Sequence, residues 1–149
     1  MSLFALMSVS ASGMSAQRAR AEVLAENLAN ADTTRTPEGG PYRRKDVVFR
    51  PAPAGTAYGK PFGAVFDQEL NANLEGVEVA EVITDEREPE KRYIPGHPDA
   101  DAAGYVAFPR VNPAEDMVDL MGASRAFQAN VTAMISVKEM VQRSIDLLR

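Results

Sequence analysis

All ten prolines of this 149-residue chain fall between Pro37 and Pro113, and eight of its ten glycines fall between Gly39 and Gly104. Proline and glycine are the two residues that most disfavour a helix interior. Their confinement leaves two uninterrupted segments, about 2–31 and 113–149, free to be helical, and assigns turns and strands to the middle. The expected fold class is mainly α with a β insertion: long N- and C-terminal helices and a small, irregular β-rich middle region.

In the first segment a seam runs through Leu3, Met7, Ser10, Met14, Gln17, Ala21, Leu24, Leu28 and Ala31 at alternating spacings of four and three. That is coiled-coil spacing with poor knobs. Ser10 and Gln17 stand where Leu or Ile would pack, and Gly13 costs about 1 kcal/mol against Ala. The stretch "ENLANADTT" (26–34) should stop the helix, because Asn30, Asp32 and the two threonines bond competing backbone groups and accept turn geometry.

The second helix is announced by "NPAE", with Asn112 as N-cap, Pro113 at the first helical position and Glu115 able to reach back to the cap. Its seam steps by threes and fours through Met117, Leu120, Ser124, Phe127, Val131, Met134, Val137, Val141, Ile145 and Leu148. A second apolar line runs through Met121, Ile135, Met140 and Leu147, with small residues at Gly122, Ala126, Ala129 and Ala133. A helix over 113–149 would extend about 55 Å, too long for so short a chain to surround. Apolar side chains on several sides of such a helix ask for several neighbours.

Between the helices, "YRRKDVVF" (42–49), "GAVFDQ" (63–68), "GVEVAEVI" (76–83) and "GYVAFP" (104–109) read as strands bounded by Gly and Pro. Residues 50–63 have loop or linker composition.

The net charge of −5 argues against a nucleic-acid binder that works by neutralising phosphates. The charge is uneven: residues 1–60 hold eight Lys/Arg against five Asp/Glu, net +3, and residues 61–149 hold eight against sixteen, net −8. Such asymmetry fits equally a contact between the basic part of one copy and the acidic part of another, or simply two differently solvated surfaces. Without cysteine there is neither a disulfide nor a thiolate metal site. No basic residue precedes Arg18, so no cleaved secretory signal is expected, and no apolar run reaches the ~18–20 residues of a membrane span.

Catalytic constellations fail one by one. "GTAYGK" (55–60) has three residues between its glycines and Pro61 after the lysine, where a phosphate loop needs four and a Ser or Thr. The only histidine, His97, lies in "PGHPDAD" near Asp99 and Asp101, a composition that reads as a turn before a metal site. Asp85, Glu86, Glu88 and Glu90 interleave with Arg87, Lys91 and Arg92 as a solvated loop does. Neither an enzyme nor a cofactor is expected. The alternative to an assembling subunit is a secreted or periplasmic coiled-coil adaptor that does not polymerise, which would want one clean seam and a polar outer face.

The stretch "ENLANADTT" followed by "GGPYRRKDVVF" resembles the N-terminal motif of bacterial flagellar rod and hook proteins, the axial protein family. "GVEVAEVITD", "YIPGHPDADAAGYVAFPRVN" and "EDMVDLMGASRAFQANV" look like the successive blocks of a proximal-rod member. The resemblance implies a structural subunit of the rod in the periplasm, exported unfolded by the flagellar type III apparatus. It implies that 1–31 and 113–149 pair as a coiled-coil-like inner domain, with 32–112 outside. Implied partners are rod proteins of the FlgB, FlgF and FlgG type, other copies of the chain, the FliE adaptor and the membrane-embedded MS-ring. Asn27, Leu28, Asn30 and Ala31 match the helix-end motif, and Ser124, Arg125, Phe127, Gln128, Asn130 and Val131 the C-terminal one. With Met117, Leu120 and Met134 of the seam these are the expected assembly residues; Phe127 and Val131 are expected as knobs, and Arg125, Gln128 and Asn130 as polar contacts fixing register.

Overall fold

The computed structural model describes residues 3–53 and 75–147. The strand expected at 63–68 and the "GTAYGK" loop lie outside them. Among the described residues the elements run α1 (Leu3–Ala29), β1 (Lys45–Pro53), β2 (Glu75–Thr84), β3 (Glu90–Tyr93), β4 (Tyr105–Phe108) and α2 (Pro113–Asp146). The chain is thus mainly helical with a β insertion of two two-stranded sheets, β1 with β2 and β3 with β4.

Both helix boundaries have local causes. At the end of α1 the Asn30 amide donates to the carbonyls of Glu26 and Asn27 at 3.1 and 3.2 Å, and its side-chain Nδ2 donates to the Glu26 carbonyl at 2.9 Å. The Asn30 carbonyl and Oδ1 then accept from the Thr33 amide and hydroxyl, so one residue satisfies orphan groups on both sides of the stop. Asn112 caps α2: its Oδ1 accepts from the Ala114 amide at 3.2 Å and its carbonyl from the Asp116 amide at 3.0 Å, with Pro113 as first helical residue. The 34 residues of α2 span about 51 Å.

The chain divides into two compact units. Among the described residues, the first comprises 3–19, 49–53, 75–80 and 123–147. Here Gly13 of α1 lies against Asn130 of α2, so close that a Cβ on Gly13 would sit 2.9 Å from the Asn130 Oδ1. Ser12 Oγ donates to the Val9 carbonyl at 2.7 Å and accepts from the Val77 amide at 3.1 Å, joining β2 to α1. Gly76 makes that approach feasible, since a Cβ there would lie 2.6 Å from the same hydroxyl oxygen. Ala5, Ser10, Ala16, Ala123 and Val137 are buried. Small residues dominate because helix backbones come close.

The second unit comprises 20–48 and 81–122. Its β3–β4 hairpin is antiparallel, with Glu90 opposite Phe108 and Tyr93 opposite Tyr105. Asp101 Oδ1 organises the connection by accepting from the Ala103 and Tyr105 amides, both at 2.9 Å. β3 corrects the expectation of a solvated loop reaching Arg92. All four of its residues are exposed, so its sequence carries no alternation; the strand exists because β4 offers a ladder, Phe108 lies under Arg92 at 4.9 Å and Tyr105 meets the Tyr93 ring edge at 5.4 Å.

Candidate functional site: the exit of the first helix

Asn27 is fully buried in the last turns of α1. Its Oδ1 accepts from the Tyr42 hydroxyl and from the Lys45 amide, both at 2.9 Å, while its Nδ2 donates to the Lys45 carbonyl at 2.8 Å. A single side-chain amide thereby pairs both backbone groups of the first residue of β1, as a neighbouring strand would. The chain between them is a closed detour: the Thr36 amide donates to the Gly40 carbonyl at 2.8 Å and the Tyr42 amide to the Thr33 carbonyl at 3.0 Å. Gly39 and Gly40 take φ of 91° and 79°, which side-chain-bearing residues resist. Burial, followed by the Glu26 carboxylate and Asp116, pushes the Tyr42 phenol from its usual 10.0 up to about 12, so it stays a donor. Lys45 Nζ also meets Glu26 at 2.5 Å, an exposed pair of small worth.

One residue earlier, Arg44 reaches α2. Its Nη2 stands 2.9 Å from Asp116 Oδ1 and 3.5 Å from Asp46 Oδ1. Asp116 is buried in the first turn of α2, where the helix dipole favours an acid. The Arg44 contact is a charge contact without hydrogen-bond alignment, leaving Arg44 Nε and both Asp116 oxygens without a hydrogen bond. Burial accordingly raises the Asp116 carboxyl above its usual range, against the pull of Arg44. Arg20 adds a link between the helices at 3.6 Å from Asp119. The helix-exit loop is also pinned by Asp99, which accepts from the Thr34 hydroxyl at 2.8 Å and lies 3.9 Å from Arg35. His97 Nδ1 accepts from the Asp99 amide at 3.1 Å, holding the turn in which Asp99 sits.

The expected assembly residues fall into different environments. Leu28, Asn30 and Ala31 are half-buried around buried Asn27. In the second unit, Met117 is 53% exposed and Leu120 half-buried. In the first, Ser124, Arg125, Phe127 and Gln128 are exposed, while Asn130, Val131 and Met134 are half-buried. The fully buried positions of α2 are Asp116, Ala123 and Val137, so Met117 and Ser124 of the expected seam each sit one residue beyond a buried position. Large apolar side chains remain uncovered in both units: Val118 and Met121 in one, Ile135, Met140, Ile145 and Leu147 in the other. Sequence reasoning missed Tyr42, Arg44, Lys45 and Asp116. Their only sequence signal is proximity to a helix end and to a cap, because the contacts that place them, Asn27 with Tyr42 and Lys45 and Asp116 with Arg44, join residues 15 or more apart.

Residues devoted to fixing where a long helix stops and the next strand starts define a structural, helix-based subunit. Comparison with known proteins identifies which. The profile described as flagella basal body rod protein matches residues 7–35, and that of the flagellar basal body rod FlgEFG protein C-terminal region matches 102–147. The chain is 40% identical to the flagellar basal-body rod protein FlgC of Borreliella burgdorferi, with 100% of the chain and 99% of the relative covered. It is 37% identical to FlgC of Bacillus subtilis over 99% of each, and 40% identical to FlgC of Escherichia coli O157:H7 over 99% and 98%. The chain belongs to the FlgC family of flagellar basal-body rod proteins.

Proposed function

We propose that this structural rod subunit works in the proximal rod of the flagellar basal body, where its terminal helices pack with adjacent axial subunits and carry torque. In this reading 1–31 and 113–149 form the inner domain and 32–112 the outer one. The observation that carries it is α2, whose apolar side chains stay uncovered on several sides of a helix about 51 Å long. A non-polymerising adaptor would need one covered seam and a polar remainder. Head-to-tail contacts that propagate without closing require surfaces of this multiple kind.

Other rod proteins of the FlgB, FlgF and FlgG type, further copies of the chain, the FliE adaptor and the MS-ring are the partners in this reading. Asn27, Leu28, Asn30 and Ala31 set the helix exit, and the α2 residues from Met117 to Met134 make contacts between subunits. The rod lies in the periplasm, reached through the flagellar type III apparatus without a cleaved Sec signal. No described helix is long and apolar enough to cross a membrane.

Amide hydrogen exchange tests the reading by comparing the dilute chain with the same chain in isolated basal bodies. Slower exchange of 123–147 in the assembly is expected. Equal protection in both states would mean that these residues gain no neighbours, and would return the adaptor to consideration.

A further inference from the structure

A hollow of about 110 Å³ opens in the second unit, floored by Gly39–Arg44 and walled by Asp85, Arg87, Pro89 and Arg110. Four guanidinium groups line it and one carboxylate. That carboxylate is committed: Asp85 takes a forked contact from Arg87 Nε and Nη2, and the Arg87 hydrogen bonds, with a smaller contribution from the Arg110 charge, hold it down at about 2. Arg44 is likewise engaged by Asp116 and Asp46. Arg43 and Arg110 make no hydrogen bond or ion pair of their own among the described residues, although both are exposed. One guanidinium suffices to grip a carboxylate in a forked contact, and a second at the same small hollow adds positive charge to it.

We infer that this hollow is a carboxylate socket, in which Arg43 and Arg110 receive an acidic side chain from the acid-rich half of a second copy of this chain. The inference rests on the proposed assembly. Charge complementarity names the occupant: residues 61–149 carry net −8 while residues 1–60 carry net +3. On β2, Glu75 and Glu81 are exposed and have neither ion pair nor hydrogen bond among the described residues. A surface and its complement at different places on one chain give a heterologous contact, the type that propagates.

The test uses the full chain and sedimentation at several salt concentrations. Wild type should self-associate more weakly as salt rises, and Arg43→Glu with Arg110→Glu should weaken association roughly tenfold at low salt. Mixing that variant with Glu75→Arg/Glu81→Arg should restore association. Because neither arginine makes a hydrogen bond or ion pair among the described residues, Arg43→Gln with Arg110→Gln should keep the wild-type helical spectrum and show a smaller loss in the same direction. Unchanged association in both arginine variants overturns the socket. A loss that the reciprocal variant cannot restore overturns the assignment of the carboxylate to Glu75 and Glu81 of the second copy. If the arginine variants still build normal rods and exchange at 123–147 still slows on assembly, the socket falls while the rod reading stands. If exchange does not slow, the rod reading fails independently.

Discussion

At the scale of the residue, Asn27 gives up helix propensity and gains three hydrogen bonds that no apolar residue could make. Asn27→Ala would leave the Lys45 amide and carbonyl and the Tyr42 hydroxyl without their partner at a buried junction. The expected cost is ~2–4 kcal/mol, read as a lower urea midpoint with unchanged slope; an unaltered midpoint would show that water replaces the amide freely. Tyr42 makes a pH prediction with a definite sign. Its folded-state value of about 12 lies above the ordinary 10.0, so the fold holds the proton more tightly than the unfolded chain does. That contribution is complete below pH 10 and is lost as pH rises toward 12, worth at most ~2–3 kcal/mol. Tyr42→Phe should flatten the alkaline limb of stability against pH, and an identical limb in both proteins would refute the assignment.

At the scale of the element, two helical glycines separate propensity from packing. On propensity alone Gly13→Ala and Gly122→Ala should each stabilise by up to ~1 kcal/mol. A Cβ at Gly122 meets nothing within 4 Å, so there the gain should appear. At Gly13 the new carbon would press on Asn130 from 2.9 Å, and the overpacking should reverse the sign, by ~1–3 kcal/mol. Thermal denaturation of the two single variants decides it; equal gains would mean that Asn130 swings aside without loss. The strands teach the converse. β1, β2 and β4 carry β-branched and aromatic runs legible in sequence, whereas β3 reads "EKRY" and is a strand only because β4 stands beside it.

At the scale of the whole molecule, the described part of the chain leaves apolar side chains in water in each of its units, with Ile135 at 51% and Leu147 at 87% exposure. The exchange experiment should therefore be uneven along the chain. The helix exit, held by Asn27, Tyr42 and Asp99, should already resist exchange in the isolated chain, and the C-terminal two thirds of α2 should gain most on assembly. Protection gained uniformly over both regions would mean that the junction forms only on incorporation.

The distribution of proline and glycine, the Asn112 cap and the Asn30 stop are local properties, and they determined two long helices, their approximate ends and the β insertion before any contact was known. The motif around Asn27 and the blocks downstream pointed equally early to the axial protein family. What Asn27 does was decided only by tertiary structure, because its partners Tyr42 and Lys45 return through a loop whose path no spacing rule encodes. The same holds for the burial of Asp116 beneath Arg44, for the line along which α2 is covered, and for β3. Each depends on which surface happens to arrive opposite a residue, and that is a property of the folded chain, with no counterpart in the residues on either side.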